Sequence, residues 1–127
     1  MTLFEIVGTY IALNAIIFVW LTVRVIKVRF KDQVSLGDND DSNLRKRIRT
    51  HGNFTETVPM ALIGLIALAM LSAPPFVLHI FGAGLTIGRL LHCHGMMQKG
   101  AIGRGRVIGM LMTLFVILGQ ALSLIHI

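Results

Sequence analysis

Residues 44–59 read Leu-Arg-Lys-Arg-Ile-Arg-Thr-His-Gly-Asn-Phe-Thr-Glu-Thr-Val-Pro and run without a break into the apolar stretch Met60 to Leu71. Charged and polar groups therefore stand where a membrane helix should already have begun. The purely apolar part, Thr57 to Leu71, covers only ~22 Å of helix, against ~30 Å for a hydrocarbon core. To span, this helix must draw Asn53 and Glu56 into the membrane. At about 3.6 residues per turn, Arg49, Asn53 and Glu56 fall at i, i+4 and i+7, so they share one face. Pro59 removes a backbone hydrogen bond just past Glu56, which should bend the helix and free the carbonyl of Thr55.

The remainder of the 127 residues agrees with a lipid environment. A mean hydropathy of +0.75, with 54% hydrophobic and only 14% charged residues, lies outside the range of a small soluble domain. Four apolar segments are each long enough to cross a bilayer, with helices expected over about residues 3–30, 43–71, 75–98 and 105–126 of one domain, 1–127. Lipid offers the backbone no hydrogen-bond partner, so the expected fold is an all-α membrane protein, a bundle of four transmembrane helices. The first segment is too long for a cleavable signal, and its positive charge follows it instead of preceding it.

The net charge of +6 is explained by topology and not by nucleic acid. Arg24, Lys27, Arg29, Lys31, Arg45, Lys46, Arg47 and Arg49 flank the first connection. Arg89, Lys99, Arg104 and Arg106 flank the third, which completes the 12 Lys and Arg. With four spans those connections share a side, which the positive-inside rule makes cytoplasmic, with both termini and the Ser72 to Pro75 turn opposite. Any of the cations from Arg24 to Lys31 could snorkel, or turn inward to an anionic ligand.

Local signals fill in the chain. Thr2 and Glu5 have the spacing of a capping box. Asn14 lies mid-span, where an amide bonds to a neighbouring helix. The polar connection Asp32 to Asn43 ends in Asp41 and Ser42, either of which can cap the second helix. Pro74 and Pro75 suit the first turn of the third helix. Gly84 and Gly88 on the third helix, and Gly105 and Gly109 on the fourth, have the four-residue spacing that permits close approach.

Counting depth from the outer turn places Glu56 ~22 Å below Leu71 and Arg89 ~21 Å below Pro75. The two are therefore expected to face the bundle interior and each other, since an unpaired charge at such depth costs about 3 kcal/mol or more. Asn53 and His92 fall one turn deeper, with Arg49 and Arg106 near the inner boundary. Two roles are open to this group: an ion-pair network that holds the bundle together, or a pocket for a small zwitterion of net negative charge. In a pocket, guanidinium groups would bind carboxylates and Glu56 would accept an ammonium. Glutathione has the required two carboxylates, one ammonium and a thiol, and amino acids or acyl-carboxylates share part of that chemistry.

His51, His79 and His126 lie off the Arg49 face. His92 and His94 flank Cys93 on one turn and diverge around the helix, so no metal site is expected. Cys93, the single cysteine, reads as buried filler.

Arg49-x-x-x-Asn53-x-x-Glu56-x-x-Pro59, followed by Gly88-Arg89-x-x-His92, resembles the MAPEG family, the membrane-associated proteins of eicosanoid and glutathione metabolism. The closest resemblance is to its short bacterial branch, through Leu36-Gly37-Asp38 and Arg49-Thr50-His51-Gly52-Asn53, and it extends from about residue 5 to residue 122. It implies a homotrimer in the bacterial inner membrane that binds glutathione as co-substrate at protomer interfaces near the cytoplasmic side. Arg49, Asn53, Glu56, Arg89 and His92 would form the glutathione pocket, and Arg106, with Arg104 as the alternative, would stabilise the thiolate. Eicosanoid-forming relatives carry tyrosines on the third helix where this chain has His92 and Met96. The implied activity is therefore a general transferase or peroxidase acting on lipophilic electrophiles that arrive from the membrane lipid. Alternatives are a non-catalytic glutathione- or lipid-binding scaffold of the same fold, and a small four-span proton-coupled exporter.

Overall fold

The computed structural model describes residues 1–99 and 103–127, and shows four helices: α1 (Leu3–Asp32), α2 (Ser42–Met70), α3 (Pro75–Met97) and α4 (Arg104–His126). The connection from Gln98 to Arg106 is described except for residues 100–102, which lie outside the described residues. All four helices are long and apolar enough to cross a membrane. Their outer faces carry Phe4 and Ile16 on α1, Ile63 on α2, Phe76 on α3, and Phe115 and Ile125 on α4, each more than 60% exposed. An apolar surface of that extent suits lipid and not water.

Each helix starts and stops for a local reason. At α1 the Glu5 amide donates to Thr2 Oγ1 at 3.2 Å, and the Thr2 amide to the Glu5 carboxylate at 2.6 Å, completing the capping box. Gln33 then turns left-handed, at φ 54°, and ends the helix. Asp41, and not Ser42, caps α2 by accepting from the amide of Asn43 at 2.8 Å. At the far end, the Ala73 amide reaches Leu68 O and the Ser72 amide reaches Ala69 O, both at 3.0 Å. That is a Schellman closure, with Ser72 at φ 59° in the position glycine usually takes. Pro75 opens α3 directly afterwards, where its missing N–H costs nothing.

Two apolar layers fill the bundle. One gathers Ile17, Leu21, Phe54, Val58, Leu85 and Val116, and the other Ile6, Val7, Leu65, Leu68 and Leu78. Asn14 ties α1 to α3, donating to Thr86 Oγ1 at 3.0 Å, and Gln120 ties α4 to α2, donating to Ala61 O at 3.0 Å. The closest approach is between α3 and α4. A methyl added at Gly105 would lie 2.7 Å from Leu91 O, and one at Gly95 would lie 2.8 Å from Arg106 Cα. At Gly109 a methyl would lie 2.9 Å from His92 Cα and closer still to Gly88 O and His92 N. The helices therefore touch through Gly88 and Gly95 on one side and Gly105 and Gly109 on the other. Gly84, expected in this seam, meets only the Val116 side chain.

Candidate functional site

The centre of the polar cluster is Arg89, only 1% exposed on α3. Its Nη1 donates to Asn53 Oδ1 and to Thr57 Oγ1, each at 2.9 Å. Its Nε and Nη2 find no partner among the described residues. Asn53 is further fixed by its amide nitrogen, which lies 3.6 Å from the sulfur of Met110 on α4. The Thr57 hydroxyl also donates to Asn53 O at 2.8 Å.

Glu56 does not meet Arg89, contrary to the depth count. It pairs instead with Arg49, at 3.5 Å, and both side chains are more than half exposed on the outward side of α2. The reason is angular. Glu56 and Asn53 are about 60° apart around the helix, whereas Thr57 is only about 40° from Asn53 and Glu56 is about 20° from Arg49. Arg89 shares a level with Glu56 but faces the Asn53 and Thr57 edge. Gly52 lies beneath the outward pair, and a methyl there would come within 3.3 Å of the Arg49 guanidinium.

On the α4 side, Asn53, His92 and Arg106 line a cleft of about 340 Å³, together with Val107, Met110 and Leu111. His92 is buried and Arg106 exposed, so the cleft has a polar wall and an open cationic rim. Its shape depends on the glycine seam, because Gly109 lies against the backbone of His92 and Gly95 against that of Arg106. Arg104, one turn-half away at the start of α4, does not line it. A second groove, of about 410 Å³, runs between α1 and α2 and is walled by Phe18, Phe54, Val58, Pro59 and Leu62.

The sequence candidates thus fall into three places: Arg49 with Glu56 outward on α2, Arg89 buried behind Asn53, and Asn53 with His92 and Arg106 around the cleft. Thr57 and Met110 were not singled out from sequence. Thr57 was findable, since it lies four residues from Asn53 on the same face, whereas nothing in the α4 sequence marks Met110. Three of the other histidines have structural partners, and His126 is exposed at the end of α4. His51 lies 3.1 Å from Thr22 Oγ1 and stacks near Phe18, His79 meets the Tyr10 hydroxyl at 2.9 Å, and His94 meets Gln98 at 3.4 Å. Cys93 is buried in the apolar core. Among the described residues no three His, Cys, Asp or Glu side chains gather as metal ligands would.

The model of the MAPEG family matches residues 7–126. Two relatives are the inner membrane protein YecN of Escherichia coli K12 and the protein of the same name from E. coli O6:H1. Each is 32% identical over 90 residues, which cover 71% of this chain and 69% of the relative. No solved structure matches the chain.

Proposed function

The chain belongs to the MAPEG family, and from that premise we propose that it is a glutathione-dependent transferase or peroxidase of the bacterial inner membrane, acting on lipophilic electrophiles. The single observation that carries this reading is the convergence of Asn53, His92 and Arg106 on one cleft. A guanidinium at the rim favours the thiolate over the thiol, which raises the population of the nucleophile near neutral pH. The thiolate sulfur then forms the new carbon–sulfur bond as the leaving group departs with its electron pair.

Two further features support the reading. The Arg49–Glu56 pair, more than half exposed on one protomer, would be costly against hydrocarbon, and a second copy of the chain over it removes that cost. That supports an interface between copies, which the family resemblance makes a homotrimer, with glutathione held between protomers by Arg49, Asn53 and Glu56, and with Arg89 and His92 supporting from behind. The inner-membrane location follows the name of the relatives, and the cytoplasmic placement of the basic connections follows the positive-inside rule.

The test uses purified protein in detergent. Glutathione should give a thiolate absorbance and be conjugated to a generic aryl halide, and Arg106→Ala should abolish the absorbance while assembly persists. Persistence of the thiolate signal in Arg106→Ala would shift the role to Arg104, and its absence from the unaltered protein would end the enzymatic reading. A non-catalytic glutathione- or lipid-binding scaffold has one observation in its favour: Asn53 already uses its carbonyl and its amide inside the protomer. Glutathione binding by calorimetry without turnover would favour it.

A further inference from the structure

Four cations that the glutathione site leaves unused converge elsewhere. Arg24 of α1, Lys46 and Arg47 of α2, and Lys99 just past α3 line a cavity of about 330 Å³ at the end of the bundle. It shares no lining residue with the Asn53, His92 and Arg106 cleft. The cavity is built, not merely decorated. Arg47 donates to Arg24 O at 3.0 Å and to Asn43 Oδ1 at 3.4 Å, and Lys46 donates to Gln98 O at 3.1 Å. Thr50, 1% exposed, forms part of its wall. The Arg24 guanidinium lies 5.1 Å from the Trp20 ring centroid, and makes no hydrogen bond or ion pair to any described residue.

Among the described residues no carboxylate side chain compensates this group. Of the six carboxylates, Glu5 closes the α1 cap, Asp38 and Asp40 lie against Arg45, Asp41 caps α2, and Glu56 pairs with Arg49. The sixth, Asp32, is exposed at the end of α1 and does not line the cavity. Two guanidinium and two ammonium groups, from α1, α2 and the segment just past α3, suit an anion with oxygens on several sides. A carboxylate presents two oxygens in one plane, whereas a phosphate presents them around a tetrahedron. Basic cavities at the ends of membrane helices also lie at the level of lipid head groups.

We infer that the cavity formed by Arg24, Lys46, Arg47 and Lys99 binds a phosphate group, carried by an anionic phospholipid or present as the free ion. Trp20, the sole tryptophan of the chain, reports on it because Arg24 lies over its ring.

The experiment uses the full chain in maltoside micelles, which contain no phosphate. Phosphatidylglycerol is titrated in one arm, and inorganic phosphate at constant ionic strength in the other. The expected result is a saturable change in Trp20 emission, with apparent affinity at least tenfold weaker in the Arg24→Gln, Arg47→Gln double variant. A response to phosphatidylglycerol alone identifies a head-group site, and a response to both identifies a site for the free ion as well. Native mass spectrometry of retained phospholipid gives a readout that does not depend on the tryptophan. Should the double variant fail to fold, Lys46→Gln with Lys99→Gln must weaken the same response. Absence of saturation in both arms, equal affinity in the variants, or displacement of the phosphate by glutathione would each overturn the assignment. The Arg106-dependent thiolate absorbance should be unchanged in these variants, so failure here is distinct from failure of the glutathione reading.

Discussion

Gly109→Ala should be among the most damaging single methyl additions in this protein. The new carbon would lie 2.9 Å from His92 Cα and nearer still to His92 N and Gly88 O, whereas ordinary contact begins near 3.4 Å. Relief requires α3 and α4 to part by roughly 1 Å, because backbone atoms, unlike a side-chain tip, have no rotamer to move into. Overpacking costs about 1–3 kcal/mol, and with only backbone to yield we expect the upper end, ~3 kcal/mol. That is roughly a hundredfold in the folding equilibrium. The same displacement carries Arg106 away from His92, so the thiolate absorbance should fall with stability. The assay is equilibrium unfolding in mixed micelles as the dodecyl sulfate fraction rises, followed by circular dichroism. Gly8→Ala is the control: nothing lies within 4 Å of its added methyl, and the gain in helix propensity should stabilise by up to ~1 kcal/mol. Coincident transitions for Gly109→Ala and the unaltered chain, or an equal loss in Gly8→Ala, would refute the backbone-contact argument.

Two further outcomes follow from the polar groups. Asn53→Ala removes an acceptor from the buried Arg89 guanidinium and should cost about 1.5–3 kcal/mol. Much of that loss should vanish in an Arg89→Met background, a coupling that a double-mutant cycle reads directly. In the first connection, the Asp38 carboxyl is held below its ordinary value, chiefly by the Arg45 side chain at 2.6 Å and then by the Asp40 amide. A depressed carboxyl contributes order above its unfolded value of ~3.9 and loses it as pH falls through the folded value. Hydrogen exchange of residues 33–41 should therefore accelerate beyond the intrinsic change only as pH falls below about 4, and Asp38→Asn should remove the excess.

The helical class was legible because it rests on local physics. Segment length, the Thr2 and Glu5 cap, Asp41 ahead of α2 and the proline start of α3 all act within a few residues. The level of Arg89 was legible too, since helical rise is constant. Its partner was not, because rotation about the axis depends on which edge of α2 faces α3, a property of the packed bundle. The same limit hid the glycine seam: Gly88 and Gly109 show the spacing expected of close helices, but Gly95 acquires its role only from the register of α3 against α4. The sequence leaves open which cation of the first basic cluster turns inward, and in the fold Arg24 lines a cavity. What singles it out is the approach of Arg47 from α2 and of Lys99 from the segment just past α3.

The Schellman turn at Ser72 joins two helices in a stretch with an unusual property for biogenesis. From residue 57 to residue 88 the chain contains no Asp, Glu, Lys or Arg. A hairpin of α2 and α3 can therefore enter the bilayer as one body without carrying a charge across, since its leading edge is the compact, proline-stiffened turn. The run is shorter than two full spans of about 20 residues each, so entry meets Glu56 on one leg and Arg89 on the other at nearly the same moment. These two residues, which do not touch, are expected to limit the depth of both helices together. Lengthening the uncharged run on one leg alone would tilt the hairpin and shear Asn53 away from Arg89.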